Sequence, residues 1–123
     1  MSAYAPAPQV YRESAVLTAT PEQLVVMLYD GANRFLTQSA VAMRERRPAI
    51  AGEKLRRAEA IINELLITLD MSVGDIAQQL QALYLFFKEH LMGARLKQDH
   101  AKVDEVARLM RELRSAWAGI AGA

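Results

Sequence analysis

The sequence predicts an all-α protein, an antiparallel up-down-up-down four-helix bundle with an N-terminal arm. Three observations predict it. Apolar side chains recur at steps of three and four along four long stretches. No stretch alternates with the period of two that a half-buried strand requires. Short turn-forming segments separate the stretches, which favours antiparallel neighbours. At 123 residues the chain is sized for one domain, expected as an arm over 1–19 and a bundle over 20–123.

The arm carries Pro6 and Pro8 and then Val10, Tyr11, Val16 and Leu17 without a sustained helical period, so it is expected to be extended or briefly helical. Thr20-Pro21-Glu22-Gln23 is a helix start: Thr20 suits the cap, Pro21 the first helical position, and Gln23 completes a capping box. The first helix, about 21–46, follows with Val25, Leu28, Ala32, Phe35, Ser39 and Ala42 on one face. Pro48 ends it, because the residue before a proline avoids the helical region. The second helix, about 49–69, carries Leu55, Ala58, Ile62, Leu65 and Leu69. Asp70 to Gly74 is a turn. The third, about 75–97, carries Ile76, Leu80, Leu83, Phe87, Leu91 and Ala94, and Gln98-Asp99-His100 is the next turn. The fourth, about 101–118, carries Val103, Val106, Met110, Leu113, Trp117 and Ile120.

Composition narrows the function. Fifteen Lys and Arg against fourteen Asp and Glu leave a net charge of +1, and the charges alternate along the chain, which argues against a nucleic-acid partner. The absence of Cys excludes disulfides, thiolate zinc sites and thiol chemistry. The first residues show no basic segment followed by an apolar run, so no signal peptide is expected. No apolar run approaches the ~18 residues of a membrane span, and a soluble, non-secreted protein is expected.

Catalytic and cofactor chemistry find no support. Helical bundles that hold two metals use Glu-x-x-His pairs, and neither His90 nor His100 has Glu three residues before it. No glycine-rich phosphate loop lies between a strand and a helix. Ser and Thr stand at caps and turns, without a His–Asp pair nearby. Asp70, Asp75, Asp99, Asp104 and Glu105 sit at helix ends, where they cap and favour the helix dipole. The Asp104–Arg108 and Arg108–Glu112 spacings suit ion pairs along a solvated helix face. No enzyme, metal or cofactor is expected.

Apolar residues nevertheless exceed what a bundle core needs, a stripe of ~100° per helix. Leu85, Met92 and Leu96 fall away from the core face of the third helix. Ile67 lies off the main stripe of the second helix, Ile61 widens that stripe, and Val26 points away from Leu28. An aligned stripe containing the adaptable Met side chain suits partner docking. Two classes fit: a chaperone or adaptor with grooves for a partner's amphipathic helices, and a self-associating structural bundle.

Val10-Tyr11-Arg12-Glu13-Ser14-Ala15-Val16-Leu17-Thr18-Ala19-Thr20-Pro21-Glu22-Gln23-Leu24, followed by Met27-Leu28-Tyr29-Asp30-Gly31-Ala32, closely resembles the start of the FliS family of flagellar export chaperones. Ile61 to Leu65 with Leu69-Asp70, Leu80 to Tyr84, and Leu109 to Arg114 with Trp117 agree in order and spacing, over about residues 10–118. The resemblance implies a cytoplasmic chaperone that binds the disordered C-terminal region of flagellin and prevents premature polymerisation. It further implies delivery of the loaded complex to FlhA at the export gate, and, for some members, an anti-sigma factor or co-chaperone as an additional partner. Val10 and Tyr11 match the family's N-terminal arm, which packs over part of a groove; the apolar Val16 is expected to cover it with them, and Leu85, Met92 and Leu96 are expected in the client interface. Gly31 is expected to permit close helix approach. Leu28, Ile62, Leu83, Leu113 and Trp117 are expected on core faces, and Tyr4 lies where the resemblance is loose.

Overall fold

A computed structural model describes residues 19–120. The chain forms α1 (Pro21–Arg44), α2 (Pro48–Thr68), α3 (Asp75–Lys97) and α4 (His100–Ile120), with a 3-10 turn at Met71–Val73 between α2 and α3. The arm up to residue 18, with Val10, Tyr11 and Val16, lies outside the described residues.

Each helix end has a local cause. Thr20 Oγ1 accepts from the Gln23 backbone N–H at 3.1 Å while Gln23 Oε1 accepts from that of Thr20 at 2.9 Å, closing the capping box. The chain leaves α1 earlier than expected because Arg46 turns into the left-handed region (φ 59°), with its N–H and that of Arg47 closing on the Met43 and Ala42 carbonyls. Pro48 then becomes the first residue of α2. Asp70 accepts from the Ser72 N–H at 3.0 Å to open the 3-10 turn, and these contacts with Ser72 hold its carboxyl below the usual carboxylate range. Gly74 precedes α3 at φ 86°, a conformation that glycine adopts without steric cost. Asp99 caps α4 through the Ala101 N–H at 3.1 Å, so His100 is helical and not part of the turn.

Contacts between neighbours rise in number along one helix and fall along the other. Ser39 Oγ donates to the Ala51 carbonyl at 2.8 Å, and a Cβ on Gly31 would stand 3.3 Å from Ile61 Cδ1. Between α1 and α4, Arg44 pairs with Asp104 and Arg114 Nε with Asp30 at 2.7 Å. Arg95 pairs with Glu59 between α3 and α2, and His90 meets Glu105 between α3 and α4. All four neighbouring pairs are therefore antiparallel, and α1 and α3 stand on one diagonal of the bundle.

Side-chain size sets the spacing. The buried face of α1 includes Gly31, Ala32, Ser39 and Ala40, so α2 and α4 approach its backbone closely. The buried face of α3 instead carries Tyr84, Phe87 and Leu91, which hold it farther from α2 and α4. The core faces expected for α2 and for most of α4 are buried. Several other expectations are corrected. Ile76, the second residue of α3, is 54% exposed. Leu28, Phe35, Leu83 and Leu113 are only partly buried against the core, while Tyr29, Leu36, Tyr84 and Met43 fill it. Val26 also packs partly against the core instead of standing free. Asp104 pairs with Arg44 across the α1–α4 interface rather than with Arg108, whereas the Arg108–Glu112 pair forms at 2.7 Å.

Candidate protein-docking surface

A buried polar network fixes the bundle from which any docking surface is presented. Trp117 Nε1 on α4 donates to the Tyr29 hydroxyl on α1 at 3.0 Å, and that hydroxyl also bonds the hydroxyl of Tyr84 on α3. The Tyr29 and Tyr84 rings lie 6.5 Å apart and tilted by 56°, and Tyr84 repeats that packing on Phe87 at 6.3 Å. Burial first, and then the neighbouring Tyr84, push the Tyr29 phenol far above its ordinary range. It stays neutral, a structural link across the α1–α3 diagonal rather than a proton carrier.

The outer side of α3 is different. Leu85 is 51% exposed, Met92 60% and Leu96 78%. The Arg95–Glu59 pair shows which side of α3 faces α2, with one of its bonds (Arg95 Nη1 to Glu59 Oε2) at 3.2 Å. From Arg95, Met92, Leu85 and Leu96 follow within about 60–100° around the helix, turning outward from the core. Ile67, 78% exposed, lies about 80° around α2 from Glu59 and level with Phe87, near the Leu85 end of the α3 stripe. The four side chains thus border the outer groove between α2 and α3. The stripe and Ile67 stand where the helical period places them.

Phe86 is an exposed aromatic that helical stepping missed, because it adjoins Leu85 in sequence but leans toward α4. It stacks on His90 with 5.0 Å between centroids. His90 Nε2 is 3.2 Å from Glu105 Oε1, within ion-pair range but without hydrogen-bond alignment. Met71 and Ile76 add exposed apolar surface at the other end of α3. The only available signal for these was an excess of large apolar residues, which does not say on which side a neighbour will stand.

Among the described residues no group of three or more His, Cys, Asp or Glu could hold a metal ion, and no helix is long and apolar enough to cross a membrane. A four-helix bundle with a neutral core network and an apolar outer stripe has the build of a protein-docking module. Residues 3–123 match the model of the family described as flagellar protein FliS. The chain belongs to the FliS family.

Its relatives carry consistent names. It is 38% identical over 111 residues to the flagellar secretion chaperone FliS of Escherichia coli, covering 89% of this chain and 82% of that protein. Identity to the flagellar secretion chaperone FliS of Bacillus subtilis is 32% over 107 residues, covering 87% of this chain and 80% of the relative. The flagellar secretion chaperone FliSB of Pseudomonas aeruginosa is 33% identical over 113 residues, with 91% and 90% covered.

Proposed function

We propose that this protein is a cytoplasmic export chaperone that binds the disordered C-terminal region of flagellin, keeps it from polymerising early and delivers it to FlhA at the export gate. The exposure of Leu85, Met92 and Leu96 on an otherwise well-packed bundle carries the reading. A disordered client must lose conformational entropy as it orders, so it needs a long apolar surface to reach useful affinity. A stripe along about half of α3, widened by Ile67, supplies part of that surface. Val10, Tyr11 and Val16 are proposed to cap a groove when no client is present, limiting self-association.

Calorimetry with full-length flagellin and a C-terminally truncated form tests the client. Binding of one equivalent to the full-length protein and none to the truncated one is expected, without nucleotide or metal. Equal heats with both would overturn the assignment, and a stable large oligomer that binds neither would favour a self-associating bundle. Hydrogen exchange tests the arm. Amides of residues 8–18 should be partly protected in the free protein and should change protection when flagellin is added, while the helix centres stay slow. Strong protection that does not change would make the arm a fixed part of the bundle.

A further inference from the structure

The near-balance of charge over the whole chain hides a local excess. Residues 34–57 hold seven basic side chains (Arg34, Arg44, Arg46, Arg47, Lys54, Arg56 and Arg57) and two acidic ones (Glu45 and Glu53), a formal +5, so the remaining residues sum to −4 against the overall +1. The α1–α2 hairpin brings these residues together. Arg44 is neutralised by Asp104, and Glu53 serves Arg56 at 3.0 Å and Arg57 at 2.9 Å. Arg34, Arg46, Arg47 and Lys54 have no ion-pair partner among the described residues.

Three of the cations gather on one ring. Arg34 Cζ, Lys54 Nζ and Arg57 Cζ lie 5.7, 5.9 and 5.8 Å from the centroid of Phe35, which packs partly against the core. The ring's negative face favours such cations, and it gathers three of them, of which only Arg57 has a carboxylate partner, Glu53, while Arg34 and Lys54 have none among the described residues. A set of that kind is relieved by carboxylates arriving from outside. From Arg34 to the end of α1 at Arg44 the strip runs about 15 Å, the reach of roughly five residues of extended chain.

We infer that the α1–α2 face around Phe35, with Arg34, Lys54 and Arg57 and continuing to Arg46 and Arg47, docks an acidic polypeptide segment of a partner protein. The face is separate from the Leu85–Met92–Leu96 stripe, since α1 and α3 stand on a diagonal, so both can be occupied at once. The inference does not depend on flagellin being the client. A polypeptide fits better than a phosphate backbone for two reasons. Glu45 and Glu53 interrupt the strip, which opposes a continuous ladder of phosphates but can be straddled by spaced carboxylates. The Phe35 ring is also engaged by cations, whereas single-stranded nucleic acid needs open aromatic faces on which bases stack.

The test uses the full-length protein and a blocked peptide of roughly ten residues alternating Glu with Leu, long enough to span the strip. Amide shifts in two-dimensional NMR should concentrate at residues 34–38 and 50–57, and fluorescence anisotropy should show at least about tenfold weaker binding in ~300 mM than in ~50 mM salt. The same peptide with Gln for Glu should not bind. Arg34→Glu with Lys54→Glu should abolish binding, and Arg34→Gln with Lys54→Gln should weaken it about tenfold while disturbing the fold less. Arg108→Glu with Arg111→Glu on α4 makes the same change in net charge and should leave binding intact. Shifts spread over all basic residues, or equal loss in the α4 variant, would overturn the inference. So would tighter binding, through the same residues, of a thymidine oligonucleotide or of phosphatidylglycerol vesicles.

Discussion

Changing Leu85 and Met92 together to serine should leave the bundle folded and, for the flagellin client proposed above, remove most of the binding. Both side chains are more than half exposed in the free protein, and substitutions at such sites usually change stability by less than ~0.5 kcal/mol. Covering the exposed remainder of a Leu or Met side chain contributes about 1–2 kcal/mol. Loss of both therefore weakens binding by about 2–4 kcal/mol, on the order of 30- to 1,000-fold. Calorimetry reads the affinity and thermal unfolding the fold. If the variant melts far below the parent, the two residues support the bundle. If affinity is unchanged, the client lies elsewhere on the surface.

The interior should respond in the opposite way. Phe87 is fully buried against Tyr84, so Phe87→Ala is expected to cost about 3–5 kcal/mol, from lost transfer energy and the cavity left behind. Against a total stability of about 5–15 kcal/mol that is a large part of the whole, and urea unfolding will show it as a lower midpoint. Tyr29→Phe is the subtler change. It keeps the ring but removes the hydroxyl that accepts from Trp117 and bonds Tyr84, and should cost about 1–3 kcal/mol at neutral pH.

Its pH dependence gives a second readout. The folded state raises the pKa of Tyr29 above its ordinary 10.0. The stability contributed by keeping the phenol neutral is complete below pH 10. It falls as the pH rises further, because the unfolded chain ionises there first. The Tyr29→Phe variant should therefore lose stability less steeply above pH 10 than the parent. Identical alkaline slopes would mean that Tyr29 is not held neutral by the fold.

How much of this was legible in advance differs from helix to helix. Helix α2 was plain: Leu55, Ala58, Ile62, Leu65 and Leu69 form one narrow stripe, and all are buried. The capping box at Thr20 was equally plain, because every atom involved comes from four consecutive residues. The outward position of Leu85, Met92, Leu96 and Ile67 followed from the angle each makes with the main stripe. Helix α3 was less legible. Stepping by three and four selected Leu83 and Ile76 for the core, yet Tyr84 is the residue that fills it. A tyrosine hydroxyl is costly to bury alone, and its partner Tyr29 lies 55 residues away.

Local pattern therefore accounts for the four helices, their order and most of their buried faces, because periodicity, caps and turn residues act within one or two turns of backbone. Motif order along the chain pointed to the family on the same footing. Tertiary packing alone decided the edges of each stripe, the diagonal Tyr29–Tyr84 link, the choice of Arg44 over Arg108 by Asp104, and the gathering of Arg34, Lys54 and Arg57 around Phe35. Burial and ion pairing depend on how closely a neighbouring helix approaches. That distance is set jointly by the small residues of α1 and the aromatic residues of α3, which no single stretch of sequence contains.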